Sequence, residues 1–367
     1  MIKLLAVLAA ALILAYISEQ NTKAVLASGR RYFIWNDWAY ILLVILLTFF
    51  AGLRTHYNDT STYMNSFRTF PLPEEWLADA DSYNIFKNPL FYFLQSLLRS
   101  ATGNPQWLIF LSAFITQMMF LRFFKRYSGN FCFSVYIYFT LGTFLFTMAA
   151  LKQVLAMAIL TMAFPCLEKN QWGKYYLIVF IAMLVHTYAM SFAVLPLLRG
   201  RPWKVSTLLV VAATAVLMMN FRDAITAFMD QANDLGKTLA EYEVFDDNTI
   251  NGFRLAVYAV PPLISLVFQR WVSHNNSEME NIMIQMSIVS LAFMSMGTQS
   301  GANMFARMAT YFELGTICIL PRMIDKTFDK RSGRLVSGIA VACFFGFFLY
   351  ANFIGGDFET KFKWIFS

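Results

Sequence analysis

Long apolar runs separated by short polar stretches organise this chain from end to end. A hydrocarbon layer about 30 Å thick needs roughly 20 apolar residues in a helix. The pattern predicts membrane-crossing helices over about 2–17, 38–53, 105–121, 131–149, 151–167, 174–198, 205–220, 254–271, 281–298, 305–321 and 335–354. The shorter stretch 89–99 is amphipathic, which suits a helix lying in the interface. The first run looks like the apolar core of a signal peptide, with alanines at 9–11. In a chain that is polytopic throughout, it reads as an uncleaved first helix. The predicted fold class is all-α: a single polytopic membrane domain over 1–367, with about 11–12 transmembrane helices and external loops at about 54–104 and 220–252.

Composition agrees with that pattern. The chain is 58% hydrophobic and 14% charged, against about one quarter charged in soluble domains. Its net charge of +7 does not point to nucleic acid, because Lys and Arg sit between apolar runs and suit loops facing an anionic leaflet. Cys132, Cys166, Cys318 and Cys343 each lie in an apolar stretch, without the paired spacing of a disulfide framework or a metal site.

Basic clusters give the orientation. Lys23/Arg30/Arg31, Arg122/Lys125/Arg126, Lys169/Lys174, Arg199/Arg201/Lys204, Arg270 and Arg322/Lys326/Lys330/Arg331/Arg334 are assigned to the cytoplasm. That places 54–88, 220–252, the turns near 150 and 300 and the C-terminal tail outside. The run 174–198 has basic residues at both ends, so it is read as a hairpin turning outside near His186–Tyr188, with a single crossing as the alternative.

Loop lengths then restrict the chemistry. No cytoplasmic loop is long enough to fold as a nucleotide-binding domain. The Gly-Lys-Thr at 236–238 lacks the glycine that a phosphate-binding loop needs at 231, where Gln231 stands. The acids of 220–252 (Asp223, Asp230, Asp234, Glu241, Glu243, Asp246 and Asp247) read as a solvated lid. Asp79 and Asp81, following Glu74 and Glu75, read as a solvated loop rather than a metal pair.

Ionisable groups beside membrane spans are expensive, so each is a functional candidate. Arg54, Asp59 and Tyr63 open the first external loop, Lys152 and Gln153 occupy an external turn, His186 lies at the hairpin tip, and Arg307 follows the turn near 300. All fall at one membrane face. The cations suit a pyrophosphate whose lipid tail stays in the bilayer, Arg as a planar fork and Lys as a point charge. The alternative is that they snorkel at helix ends. Asp59 either pairs with Arg54 or acts directly. His186 can take a hydroxyl proton near neutral pH; a merely hydrogen-bonded membrane histidine is the bland alternative.

These residues carry a resemblance. Arg54-x4-Asp59-x3-Tyr63, Lys152-Gln153-x-Leu155-Ala156 and Leu184-Val185-His186-Thr187-x-Ala189 resemble the EpsG-like branch of the Wzy polysaccharide polymerases, most strongly between about 40 and 200. The resemblance implies a GT-C-like helical scaffold and inverting glycosyl transfer. Growing polysaccharide (O-antigen, capsule or exopolysaccharide) would pass from its undecaprenyl-pyrophosphate carrier to a new lipid-linked repeat unit, outside the bacterial cytoplasmic membrane. It also implies arginines that hold pyrophosphate, and adds a chain-length regulator and a flippase as candidate partners beside membrane lipid.

The sequence departs from the family pattern at Asn58, where Gly-Thr usually precedes the Asp, and at Lys152, where Arg is common. No cofactor or metal is expected, because pyrophosphate is already a good leaving group and fixed cations can stabilise it. His186, ahead of Asp59, is the candidate base; Arg54, Tyr63, Lys152, Gln153 and Arg307 are the candidate substrate contacts. The rival readings are a transferase or glycan ligase using a polyprenyl-linked donor, and a lipid-linked oligosaccharide transporter. Internal repeats, frequent in transporters, are not visible.

Overall fold

The computed structural model describes residues 2–78, 88–205, 249–272, 276–298, 302–354 and 361–362, with isolated positions between 208 and 216. Much of the run 205–220, most of the loop 220–252 with its acids and Gly-Lys-Thr, and Asp79 and Asp81 lie outside the described residues. The regular elements are helices apart from one two-stranded ribbon, as expected of an all-α membrane protein. Five helices are long and apolar enough to cross a membrane among the described residues, or six if one bent pair counts as a span. Contacts divide the chain into two compact units, one of residues 1–190 with 344–367 and the other of 191–343.

The first unit begins with α1 (Ile2–Ala27) and α2 (Trp38–Gly52). Asp37 caps α2, its side chain accepting from the Tyr40 amide at 3.3 Å. Next come β1 (Arg54–His56), α3 (Thr60–Thr69), α4 (Pro73–Ala78), the amphipathic α5 (Pro89–Ala101) and α6 (Gln106–Tyr127). The predicted run 131–149 is broken into α7 (Phe131–Thr140) and α8 (Thr143–Ala149), which meet at 56°. Gly142 sits at the break with φ +94°, a conformation that favours glycine. Then α9 (Leu151–Thr161) and α10 (Ala163–Glu168) run one way, and α11 (Trp172–Val185) returns. A 3₁₀ stretch, Thr187–Leu198, continues into the second unit. Packing follows the chain: α1 lies on α2 and α7, α2 on α6, α6 on α9, and α11 on α9, α10 and α5. β1 pairs antiparallel with β2 (Lys361–Phe362) near the C-terminus.

One end of this unit is held by a polar knot. Asp37 accepts from Ser18 at 2.6 Å, Asn21 at 3.1 Å and Tyr32 at 2.8 Å, while Lys125 donates to Ser18 and lies 3.7 Å from Asp37. Burial alone would raise the Asp37 carboxyl, but these donors outweigh it and hold it below its ordinary value. The knot ties α1, α2 and α6 at the end that the charge pattern assigns to the cytoplasm. Because α2 is 15 residues long, the opposite end lies about 22 Å away. Arg54 lies just past that end.

In the second unit α12 (Gly252–Val267), α13 (Glu278–Met296) and α14 (Ala302–Thr327) pack together, and α15 (Lys330–Leu349) starts there and ends in the first unit. Ser277 and Glu280 form a capping box at the start of α13. A Cβ on Gly315 of α14 would lie 2.8 Å from the Met283 carbonyl of α13, so this pair needs glycine. The outward apolar side chains of α1 and α15, such as Ile13, Tyr16, Leu335 and Ile339, suit lipid.

The structure also qualifies the run pattern. α2, α11, α12 and the 3₁₀ stretch are apolar but shorter than a full span. Several of the eleven or twelve predicted crossings are therefore short or broken segments.

Candidate functional site

The site starts where α2 stops. Gly52 ends the helix against α6, where an added Cβ would lie 3.0 Å from the Phe110 Cα, so the two helices meet closely. Two residues later Arg54 turns inward and is completely buried. Its Nε donates to the Thr60 hydroxyl at 3.0 Å, one terminal nitrogen donates to the Ala51 carbonyl, and the other to the Met148 carbonyl at 2.7 Å. Those carbonyls belong to the last turns of α2 and α8, which leave acceptors without helical partners and carry partial negative charge. Two helix C-termini thus hold one guanidinium.

No carboxylate lies within ion-pair distance of Arg54 among the described residues, so its formal charge is not cancelled and the suggested pairing with Asp59 does not form. Burial lowers the Arg54 pKa from its ordinary value, against the opposing influence of Tyr57 and Tyr63. An anion arriving nearby would relieve that penalty.

A second group pins the same loop. Gln106, 2% exposed at the start of α6, donates its amide to the Gly52 carbonyl at 2.6 Å and the Arg54 carbonyl at 3.0 Å. Deeper along α6, Gln117 donates to Thr147 at 3.0 Å and accepts from Tyr138 at 2.9 Å, which fixes α8 under Arg54. Gln106→Leu orphans both loop carbonyls and is expected to cost about 1–3 kcal/mol of stability. Thermal unfolding in detergent measures this; an unchanged midpoint would remove Gln106 as the pin.

Lys152 stands in the first turn of α9, just past the α8 end that binds Arg54. It is half-buried, donates to the Tyr92 hydroxyl at 3.1 Å, and lies 5.1 Å from the Tyr92 ring centre and 5.9 Å from that of Phe91. Among the described residues it too has no carboxylate within ion-pair distance. Tyr63 reaches the same aromatics, with its ring edge-on to Phe91 at 6.4 Å. Arg54, Tyr63 and Lys152 therefore belong to one neighbourhood, joined through Thr60, Met148, Phe91 and Tyr92.

The other candidates are placed as follows. Asp59 is half-buried at the N-cap of α3, where its carbonyl accepts from the Tyr63 amide at 3.0 Å. Gln153 is buried at 1% exposure beside Lys152. His186 ends α11 with extended backbone, φ −154° and ψ 119°, and its ring meets Tyr188 edge-on at 5.4 Å.

The run 174–198 is broken at His186, between α11 and the 3₁₀ stretch. α9 and α10 together run about 27 Å, and α11 returns about 21 Å after a three-residue turn. α11 packs back along α9 and α10. Arg307 is exposed in the second turn of α14 and belongs to the second unit.

Residue-by-residue reading missed Thr60, Gln106 and Tyr92, because their roles depend on contacts between distant segments. It also missed Glu313, buried at 2% exposure in α14, which meets the Tyr258 hydroxyl of α12 that Arg254 also reaches. Among the described residues no group of three or more His, Cys, Asp or Glu could hold a metal ion.

The fold and these residues define an all-α, multi-pass membrane protein in which two cations without carboxylate partners gather at one end of a helical unit. The chain belongs to the EpsG family, whose family model matches residues 37–364. No curated protein and no solved structure shows a significant match. Family membership points to a polymerase-like role in polysaccharide biosynthesis.

Proposed function

We propose that this chain is a glycosyltransferase of the polysaccharide-polymerase type, joining undecaprenyl-pyrophosphate-linked repeat units at the outer face of a bacterial cytoplasmic membrane. The carrying observation is the pair of cations, Arg54 and Lys152, in one neighbourhood with only neutral protein groups as polar partners. A buried cation that structure does not neutralise favours an anionic ligand. On this reading Lys152, half-exposed, touches pyrophosphate, and Arg54 adds a fixed positive field from beneath. Arg307, in the second unit, is left outside this pair.

The reaction follows from these roles. An acceptor hydroxyl oxygen attacks the anomeric carbon of the donor sugar, and the bond from that carbon to pyrophosphate breaks. The electron pair leaves on pyrophosphate, where Lys152 and Arg54 stabilise the developing charge. His186 takes the hydroxyl proton, with Asp59 as the alternative base. Tyr63, beside Phe91, and Gln153, next to Lys152 in the chain, enter as substrate contacts on the sequence pattern.

Purified protein supplied with lipid-linked repeat units, in the presence of a chelator, is expected to give a ladder of chain lengths. Addition of a single unit would instead support a transferase or ligase. Movement of intact lipid-linked oligosaccharide without new bonds would support a transporter. Restoration of the ladder only by a divalent metal would return attention to Asp79 and Asp81.

A further inference from the structure

Lys152 has a partner that sequence spacing does not reveal. Its ammonium has three N–H donors, and the Tyr92 hydroxyl oxygen, 3.1 Å away, accepts one of them. Two N–H groups remain. The Tyr92 oxygen, used as an acceptor, keeps its own O–H to donate. The ring is held still: Tyr92 stacks on Phe70 at 5.3 Å and 11°, and meets Phe91 edge-on at 5.6 Å. Both side chains are half-buried, so their donors are restrained yet reachable.

We infer that Lys152 and Tyr92 together form a two-donor fork for the pyrophosphate, with Tyr92 supplying the neutral second donor that a lone lysine lacks. The inference rests on the polymerase reading above. Its logic is geometric. A lysine is a point charge with no fixed fork, whereas a guanidinium presents parallel N–H donors in one plane. An ammonium and a phenol 3.1 Å apart suit two neighbouring oxygens of one phosphate group. Phe70 and Phe91 fix the phenol before the ligand arrives, so little freedom is lost on binding.

This assignment makes Tyr92 necessary only while residue 152 is lysine. A double-mutant cycle tests it. In the wild-type background, Tyr92→Phe keeps the ring and its stacking but removes the hydroxyl. It is expected to lower the rate of ladder formation by about 10- to 100-fold, the loss of one hydrogen bond to a charged group. It should weaken competition by a short-chain polyprenyl pyrophosphate to the same degree. In a Lys152→Arg background, where the guanidinium brings its own fork, Tyr92→Phe should cost less than about threefold.

Equal losses in both backgrounds would assign Tyr92 to packing and overturn the fork. So would wild-type behaviour of Tyr92→Phe beside Lys152 when Lys152→Gln is inactive. Near-wild-type ladders from Lys152→Gln would remove Lys152 itself from the pyrophosphate site, and the fork with it. A wild-type protein that forms no ladder but binds a short-chain polyprenyl pyrophosphate directly would fail the polymerase reading while leaving the fork intact as an anion site, and the same cycle would then be read in that binding measurement.

Discussion

Arg54→Lys is expected to slow chain extension by about 30- to 1000-fold, or roughly 2–4 kcal/mol of transition-state stabilisation, while the protein still accumulates in the membrane. Lysine keeps the charge but cannot reach Thr60, Ala51 and Met148 in three directions at once, as the guanidinium does. The positive centre would move, and one or both helix ends would lose a donor. Arg54→Ala is expected to be worse and to lower abundance as well, because each buried carbonyl left without a donor costs about 1–3 kcal/mol. Ladder assays scaled to membrane protein level separate the two effects. Wild-type turnover by Arg54→Lys would show that charge alone matters and that the three-way clamp does not.

His186→Gln is expected to reduce the rate by about 10²- to 10⁴-fold, the contribution of a positioned general base. The backbone at this residue is held through its own amide, which donates to the Ala182 carbonyl at 2.9 Å, and its own carbonyl, which accepts from Ala189 at 2.9 Å. Neither bond uses the imidazole, so the break between α11 and the 3₁₀ stretch should survive the change. If His186→Gln retains turnover while Asp59→Asn loses it, the carboxylate takes the proton instead.

Much of the architecture could be read from the run pattern, because apolar length and flanking charge are local properties. The starts of α1, α2 and α6 fall within two residues of the predicted runs. The bend inside 131–149 could not be read there. Its cause is the positive φ of Gly142 in a run whose composition is otherwise continuous.

The site divides along the same line. Arg54, Tyr63 and Lys152 stood out as polar groups beside apolar segments, and the fold brings them together. Gln106 resembles any polar residue at a helix start until its two carbonyl partners are known. Tyr92 looks like one more aromatic on an amphipathic helix until Lys152 arrives from 60 residues away.

Backbone oxygens, rather than side chains, receive two of the three Arg54 contacts, and this affects how the protein tolerates mutation. Exchanging the side chain of Met148 or Ala51 leaves the carbonyl in place, so genetic scanning of those positions would score them as silent partners at most. What controls the Met148 oxygen is the path of α8, and that path is set by the 56° change of direction around Gly142. There is open space around a Cβ at Gly142, yet its φ of +94° strains any side-chain-bearing residue there. The placement of the Arg54 guanidinium thereby depends in part on the backbone conformation at Gly142, upstream of the carbonyl it contacts. Loss of function from a change at that residue would look unexplained to a survey confined to residues near the sugar or the phosphate.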